Sequence, residues 1–299
     1  MTKNEIIKKV EKFFENKQHE FKLAEEENFA TNMQNSKFAE LEKEIRALNI
    51  ELAKKEDGKK EKVLEEKIKQ QNAIKKPLKL KVDCKKCGDS GVVDGKRCSC
   101  FNKKVSELLI SESGIQTENL KKFSDSDFSK FENSEDIKKI YSAFEKIVNK
   151  LGSVKFKNFL IEGDSGVGKT FLLSAIAGEC IERGYSTFFV TAFNLNSLML
   201  KYHTNFAEDK EKFLAPVFEC DVLIIDDLGT EQIFKNVTKE YLLEILKERV
   251  LQGKHTFIST NLSLDQIIDR YGERIFSRIV DKSNSLTIKM ENSNLRLKK

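Results

Sequence analysis

Eight consecutive residues, Gly163-Asp164-Ser165-Gly166-Val167-Gly168-Lys169-Thr170, fit the pattern G-x-x-x-x-G-K-[ST] without a mismatch. Such a run does one kind of chemistry. The glycines let the backbone curl until its N–H groups point inward at phosphate oxygens. A helix starting at the end of the loop adds its dipole to that anion site. Lys169 supplies a cation for the β- and γ-phosphates of a nucleotide, and the Thr170 hydroxyl is placed to ligate Mg²⁺. ATP and Mg²⁺ are therefore the expected cofactors. The run Leu223-Ile224-Ile225-Asp226-Asp227 offers two carboxylates at the end of an apolar stretch. Asp226 is the candidate Mg²⁺ partner, and Asp227 the candidate base that orients an attacking water. A third polar end, Ser259-Thr260-Asn261, has two readings. Asn261 either positions that water or caps the next helix.

Downstream, Arg274 and Arg278 are four apart and share one helical face. An arginine delivered across a subunit boundary stabilises charge on a transferring phosphoryl group; a solvated basic face, or pairing with Glu273 or Asp269, is the plainer reading. A separate chemistry is written upstream. Cys84-x2-Cys87 and Cys98-x-Cys100 place four thiols within 17 residues, with Gly88, Gly91 and Gly95 for tight turns. Close pairs of this kind match a tetrahedral Cys₄ zinc site, so Zn²⁺ is the third expected cofactor. Cys180 and Cys220 lie elsewhere and read as buried apolar residues.

These side chains need elements to hold them. Short β-rich runs at Asn158–Glu162, Thr187–Thr191, Val222–Asp226, Thr256–Thr260 and Leu286–Met290 alternate with helical stretches. That alternation predicts an α/β fold with a parallel five-stranded sheet covered on both faces. Strand ends in such a sheet border one ligand crevice. The N-terminal part is rich in Lys and Glu, and Phe38, Leu41, Ile45, Leu48 and Leu52 form a stripe at spacings of 3 and 4. Lys55–Lys60 reads as a turn, and Val63, Leu64 and Ile68 begin a second stripe. A helical hairpin or coiled coil is expected, packing on its own domain or binding a partner. Three domains follow: a helical arm over 1–81, a zinc knuckle and linker over 82–116, and a nucleotide-binding domain over 117–299.

Composition narrows the class. The 299 residues carry 53 Lys+Arg against 48 Asp+Glu, a net charge of +5 that permits nucleic-acid binding without requiring it. No run of about 18 apolar residues predicts a membrane span, and the N-terminal MTKNEIIKKVEKFF lacks the apolar core of a signal peptide. The expected location is cytoplasmic.

Taken together, GDSGVGKT, LIIDDLG, STN, GERIFSR and the terminal Arg296 in SNLRLKK resemble the bacterial helicase-loader family of AAA+ ATPases, the DnaC/DnaI type. Transposition ATPases related to IstB share much of that core. The resemblance covers about 120–299 and implies nucleotide contacts from Gly163 to Thr170, Walker B roles for Asp226 and Asp227, and a sensor role for Asn261. It further implies an arginine finger at Arg278, with Arg274 as the alternative, and a second sensor-like arginine at Arg296. The Cys-rich string resembles the linker of loaders from Gram-positive bacteria and their phages, a feature that IstB-type proteins typically lack. In two respects the chain needs comment. Asp227 stands where many AAA+ proteins have Glu, which suits a switch better than a motor. Only 21 residues follow Arg278, too few for a helical lid, and loader-type proteins are similar in lacking one.

The implied function is ATP-dependent delivery of a ring-shaped replicative helicase to single-stranded DNA in replication initiation or restart. The arm would hold the helicase, the AAA+ domains would self-assemble on ATP, and slow hydrolysis would time release. The segment 192–217, with Phe193, Lys201, Tyr202, His203, Lys210 and Lys212, resembles the extra helical element by which loaders touch single-stranded DNA. Its residues also suit an ordinary amphipathic helix. Two other readings stand beside the loader: a transposition-associated ATPase acting on duplex DNA, and a nucleotide-gated scaffold with negligible turnover.

Overall fold

The computed structural model describes residues 3–54, 58–78, 80–112, 120–207, 210–291 and 295. Chain contacts divide it into two compact units, one made of 1–10 with 94–299 and the other of 11–93.

The larger unit is built on five parallel strands, β3 (Asn158–Glu162), β4 (Thr187–Thr191), β5 (Val222–Leu228), β6 (His255–Thr260) and β7 (Ser285–Lys289), in the order β4-β5-β6-β3-β7. These are the five runs expected from the sequence, with ends moved by a residue or two. Near-continuous apolar strands need cover on both faces. Phe159 and Ile161 of β3, Val222 and Ile224 of β5 and Phe257 of β6 point into one core with α5 (Ser134–Asn149) and α6 (Lys169–Glu182). The alternate residues Leu160, Leu223, Ile225 and Ile258 are buried as well. Helix α7 (Ala192–Thr204) packs on β4 and β5, α9 (Thr238–Leu251) on β6 and α11 (Glu273–Ile279) on β3. Helix α4 (Ser99–Glu112) lies on β4, while α8 (Ala215–Glu219) and α10 (Leu264–Tyr271) complete the set.

One buried cation holds the end of the sheet where β5 and β6 begin. Arg249 has no solvent exposure, and its guanidinium donates to the carbonyls of Val217, Cys220 and His255 at 2.6–3.0 Å and to Thr256 Oγ1 at 3.0 Å. Cys180 and Cys220 are buried, and burial pushes both thiols up.

The smaller unit is helical. After α1 (Lys3–Met33), Asn35 caps α2 (Ser36–Leu52), accepting the Lys37 and Phe38 N–H groups at 3.1 and 3.3 Å. Phe38, Leu41 and Ile45 are the buried face of α2, the stripe expected there. Helix α3 (Gly58–Ile74) runs back along it. Lys60 pairs with Glu51, Lys67 with Glu44 and Gln71 with Glu42, partners that recede in one helix as they advance in the other. Solvent-exposed pairs of this sort add little to stability, so the hairpin rests on the apolar stripe. Two expectations need correcting. Gly58–Lys60, read as part of a turn, already belong to α3, because the strong helix formers after Gly58 extend the helix back to it. Val63 and Ile68, read as the start of a second stripe, remain 46% and 39% exposed. Lys55–Asp57 and the expected domain start at Thr117 lie outside the described residues. No described helix is long and apolar enough to cross a membrane.

Candidate functional site

The strand order decides what meets what. β6 lies between β3 and β5, with Glu162 beside Thr260 and Ile225 beside Ile258, so the loop after β3, Asn261 after β6 and the two acids of β5 emerge on one edge. Gly163 opens the loop under tight constraint. A Cβ there would lie 2.4 Å from the Met290 carbonyl oxygen, so no larger residue fits. Gly168 takes the left-handed conformation (φ 97°) as N-cap of α6. Lys169 is buried, and its Nζ donates to the carbonyls of Gly163 and Asp164 at 2.7 and 2.8 Å and to Asn261 Oδ1 at 2.5 Å. The lysine and the asparagine that follows β6 therefore address one point.

The acids are coupled through a serine that the sequence reading passed over. Ser259 is fully buried; its hydroxyl donates to Asp226 Oδ1 at 2.5 Å and accepts the Asp227 N–H at 2.9 Å. Burial pushes the Asp226 carboxyl above the usual range, and Asp227 adds to that, whereas hydrogen bonds from Ser259 and Thr170 oppose it. Thr170 thus reaches Asp226, the pairing expected of two groups that share a metal. Asp227 sits at φ 57° just where β5 breaks register with β6, a conformation unusual for a non-glycine residue. Ser165, Lys169, Thr170, Asp227 and Asn261 line a cavity of about 270 Å³. The capping alternative for Asn261 is taken by another residue. Ser263 caps α10 in a capping box with Gln266.

An adjoining cavity of about 220 Å³ lies beyond Gly168, walled by Phe131, Tyr141 and Phe171 with Asp125, Ser126 and Asp127 at its rim. Phe171 and Leu295 line both cavities, so a flat apolar group attached to a phosphate chain fits across them. Ser126 Oγ is buried there without a hydrogen-bond partner. The sequence reading missed this pocket, although the Phe-rich run Phe123–Phe131 ahead of the first core strand is its signal.

Arg274 and Arg278 are exposed on α11, whose Ile275 and Ile279 face inward. Among the described residues neither forms the ion pair to Glu273 or Asp269 that the plainer reading offered. The Arg278 carbonyl is held by Asn158 Nδ2 at 2.8 Å, at the start of β3. That anchor is about 16 Å along the strand from the loop that follows its other end. Arg296 lies outside the described residues, while Leu295 donates its N–H to the Gly166 carbonyl at 3.1 Å.

Cys84, Cys87, Cys98 and Cys100 bring their ligand atoms within 4.8 Å of one another. Four sulfurs at ~2.3 Å from a tetrahedral ion stand a little under 4 Å apart, so the donor set and spacing fit zinc. Asp89 ties the first half of the knuckle by accepting the Asp83 and Cys84 N–H groups at 2.9 and 2.7 Å. Between β1 (Val92–Val93) and β2 (Lys96–Arg97), Asp94 and Gly95 take left-handed conformations, as a two-residue hairpin turn requires. In the 192–217 segment, Phe193 is 64% and Phe206 95% exposed, while Lys210 lies over the Tyr202 ring at 5.2 Å.

Several known proteins are similar to this chain over part of its length. The replicative helicase loader DnaI of Bacillus subtilis is 35% identical over 126 residues, 42% of this chain and 39% of that protein. The replicative helicase loader DnaC of Escherichia coli K12 is 28% identical over 122 residues, 41% of this chain and 49% of that protein. The matches thus span less than half the length of these two relatives. An insertion-sequence ATP-binding protein of Geobacillus stearothermophilus is 29% identical over 168 residues, 53% of this chain and 65% of that protein. A crystal structure of DnaI aligns with a TM-score of 0.48 at 26% identity, covering 61% of this chain and 94% of that one. The family described as IstB-like ATP binding protein matches residues 101–299, two thirds of the sequence, and the chain belongs to that family.

Proposed function

We propose that this protein is an ATP-hydrolysing loader that carries a ring-shaped replicative helicase to single-stranded DNA, with slow turnover timing release. The observation that carries the ATPase reading is the convergence of Lys169, Asn261 and the Thr170–Asp226 pair on one cavity edge. In this reading Gly163–Thr170 hold the phosphates, Thr170 and Asp226 hold Mg²⁺, Asp227 and Asn261 orient the water, and the aromatic cavity takes the base. Arg278, anchored far along β3 from its own loop, acts on the site of a neighbouring copy assembled with ATP, and Arg296 is proposed as the second sensor. Phe193 and Phe206, standing free for base stacking, support contact with single-stranded DNA by the 192–217 segment. The zinc knuckle is structural.

The helical arm is proposed to meet the helicase, and the similarity to two replicative helicase loaders supports a helicase as the partner. Deleting 1–81 is a poor test, because Ile6 and Val10 are buried in the nucleotide-binding unit. Asp substitutions at Ile50, Val63 and Ile68, all exposed on the arm, leave the core intact. Mixed with the helicase of the same source, in ATP and then ADP, the wild type should form a complex that the triple variant does not. No complex with the wild type under either nucleotide would sink the loader reading while leaving the ATPase reading in place.

The family match and the insertion-sequence relative favour a second reading, a transposition ATPase acting on duplex DNA. Competition between single-stranded and duplex DNA for the ATP-bound protein separates the two. Asp227 in place of Glu keeps a nucleotide-gated scaffold in view, and steady-state phosphate release with and without single-stranded DNA tests it.

A further inference from the structure

Glu231 is a buried carboxylate that no phosphate or metal role requires. It lies just beyond the acidic strand end, and its two oxygens are engaged in opposite directions. Oε2 accepts the Gly229 N–H at 2.9 Å, closing the turn that leaves Asp227. Oε1 accepts the hydroxyl of Tyr271, the last residue of α10, and the Glu231 carbonyl accepts from Arg270 Nη2. Tyr271 is buried too, and burial with the nearby Glu231 charge keeps its phenol protonated, so it remains a donor.

The turn has little freedom of its own. Thr230 returns both its N–H and its hydroxyl to the Asp227 carbonyl, at 3.2 and 2.8 Å. Gly229, at φ 111°, is so close to Leu262, the residue that follows Asn261, that a Cβ would lie 2.6 Å from its Cδ1. A left-handed aspartate persists only where its surroundings over-determine it, and here the surroundings are this turn. On the other side, Tyr271 is followed by Gly272 (φ 88°) and then by α11 with Arg274 and Arg278. A close-packed interior passes small shifts on instead of absorbing them.

We propose that Glu231 is a positioning residue that joins the turn carrying Asp227 to the helix pair carrying Arg274 and Arg278. The geometry of one molecule's water-orienting acid then follows the placement of the arginines it offers to a neighbouring copy. This rests on the ATPase roles proposed for Asp227 and Arg278.

The test uses the full chain as wild type, Glu231→Gln and Tyr271→Phe. ATP affinity is read by equilibrium binding of a fluorescent analogue, turnover by phosphate release with single-stranded DNA, and folding by thermal melting. Glu231→Gln keeps the shape but puts an amide N–H where one donor needs an acceptor. It should lower kcat about tenfold or more with ATP affinity within about threefold, and Tyr271→Phe should fall part of the way. Adding Arg278→Ala to Glu231→Gln should cost less than the two separate losses combined, since coupled residues are not additive. Should the glutamine variant fail to fold, Tyr271→Phe, which fills the same volume, carries the same comparison. Turnover within twofold of wild type in both variants, or affinity and kcat falling in step with melting temperature, overturns the inference alone. A wild type that binds ATP yet never turns it over overturns the hydrolytic reading, and the inference with it.

Discussion

Ser259→Ala tests the acidic pair most directly, because that hydroxyl is the only described side chain that bonds to both Asp226 and the backbone of Asp227. The substitution removes a donor from a buried carboxylate and an acceptor from a peptide N–H. A hydrogen bond to a charged group is worth ~1.5–3 kcal/mol, and each 1.36 kcal/mol is tenfold in rate. Turnover should therefore fall by about 10- to 100-fold. The Asp226 carboxyl already sits above its usual range because of burial, with Ser259 opposing. Losing that bond lets the carboxyl hold its proton to still higher pH. A protonated carboxyl is a poor Mg²⁺ partner, so the acid limb of the kcat profile should move to higher pH, and the loss should be largest at low pH. The assay is steady-state phosphate release from about pH 5 to 9 with saturating MgATP, beside metal-free nucleotide binding, which should change little because Lys169 and the loop are untouched. Turnover within twofold of wild type and an unmoved acid limb would refute the coupling of the two acids through Ser259.

Lys169→Ala should abolish ATP binding in the fluorescent-analogue assay, since no other described ammonium reaches the Gly163 and Asp164 carbonyls. Arg278→Ala should leave ATP binding intact and remove cooperative, DNA-stimulated hydrolysis; normal stimulated turnover in that variant sinks the finger assignment. Purified protein should carry one zinc per chain by elemental mass analysis, and Cys98→Ser should lose it and broaden amide signals across the knuckle, whereas full metal content in the variant speaks against a Cys₄ site.

Much of the nucleotide site was legible because its signals are local. A glycine-spaced loop between an apolar strand and a helix is written in consecutive residues, and so are the acids that end β5 and the four paired cysteines. The strands themselves stood out because burial on both faces leaves an unbroken apolar run. The buried face of α2 followed from a spacing of three and four, which is the period of a helix. The extent of α3 and the fate of its stripe did not follow. Whether Val63 and Ile68 are covered depends on what passes over them, and periodicity says only that they share a face.

What only the tertiary structure decided is which ends of the strands become neighbours. Insertion of β6 between β3 and β5 sets Asn261 against Lys169, 92 positions away, and Ser259 against Asp226, 33 positions away. No spacing rule links such pairs. The same packing folds Phe131 and Tyr141 against Gly168, buries Arg249 among carbonyls, and closes Glu231 onto Tyr271. The reason is physical. Helix and strand periods, turns and phosphate loops are set by the geometry of a few successive peptide units, whereas crossovers place side chains by filling a shared core, and a single chain position carries no record of that.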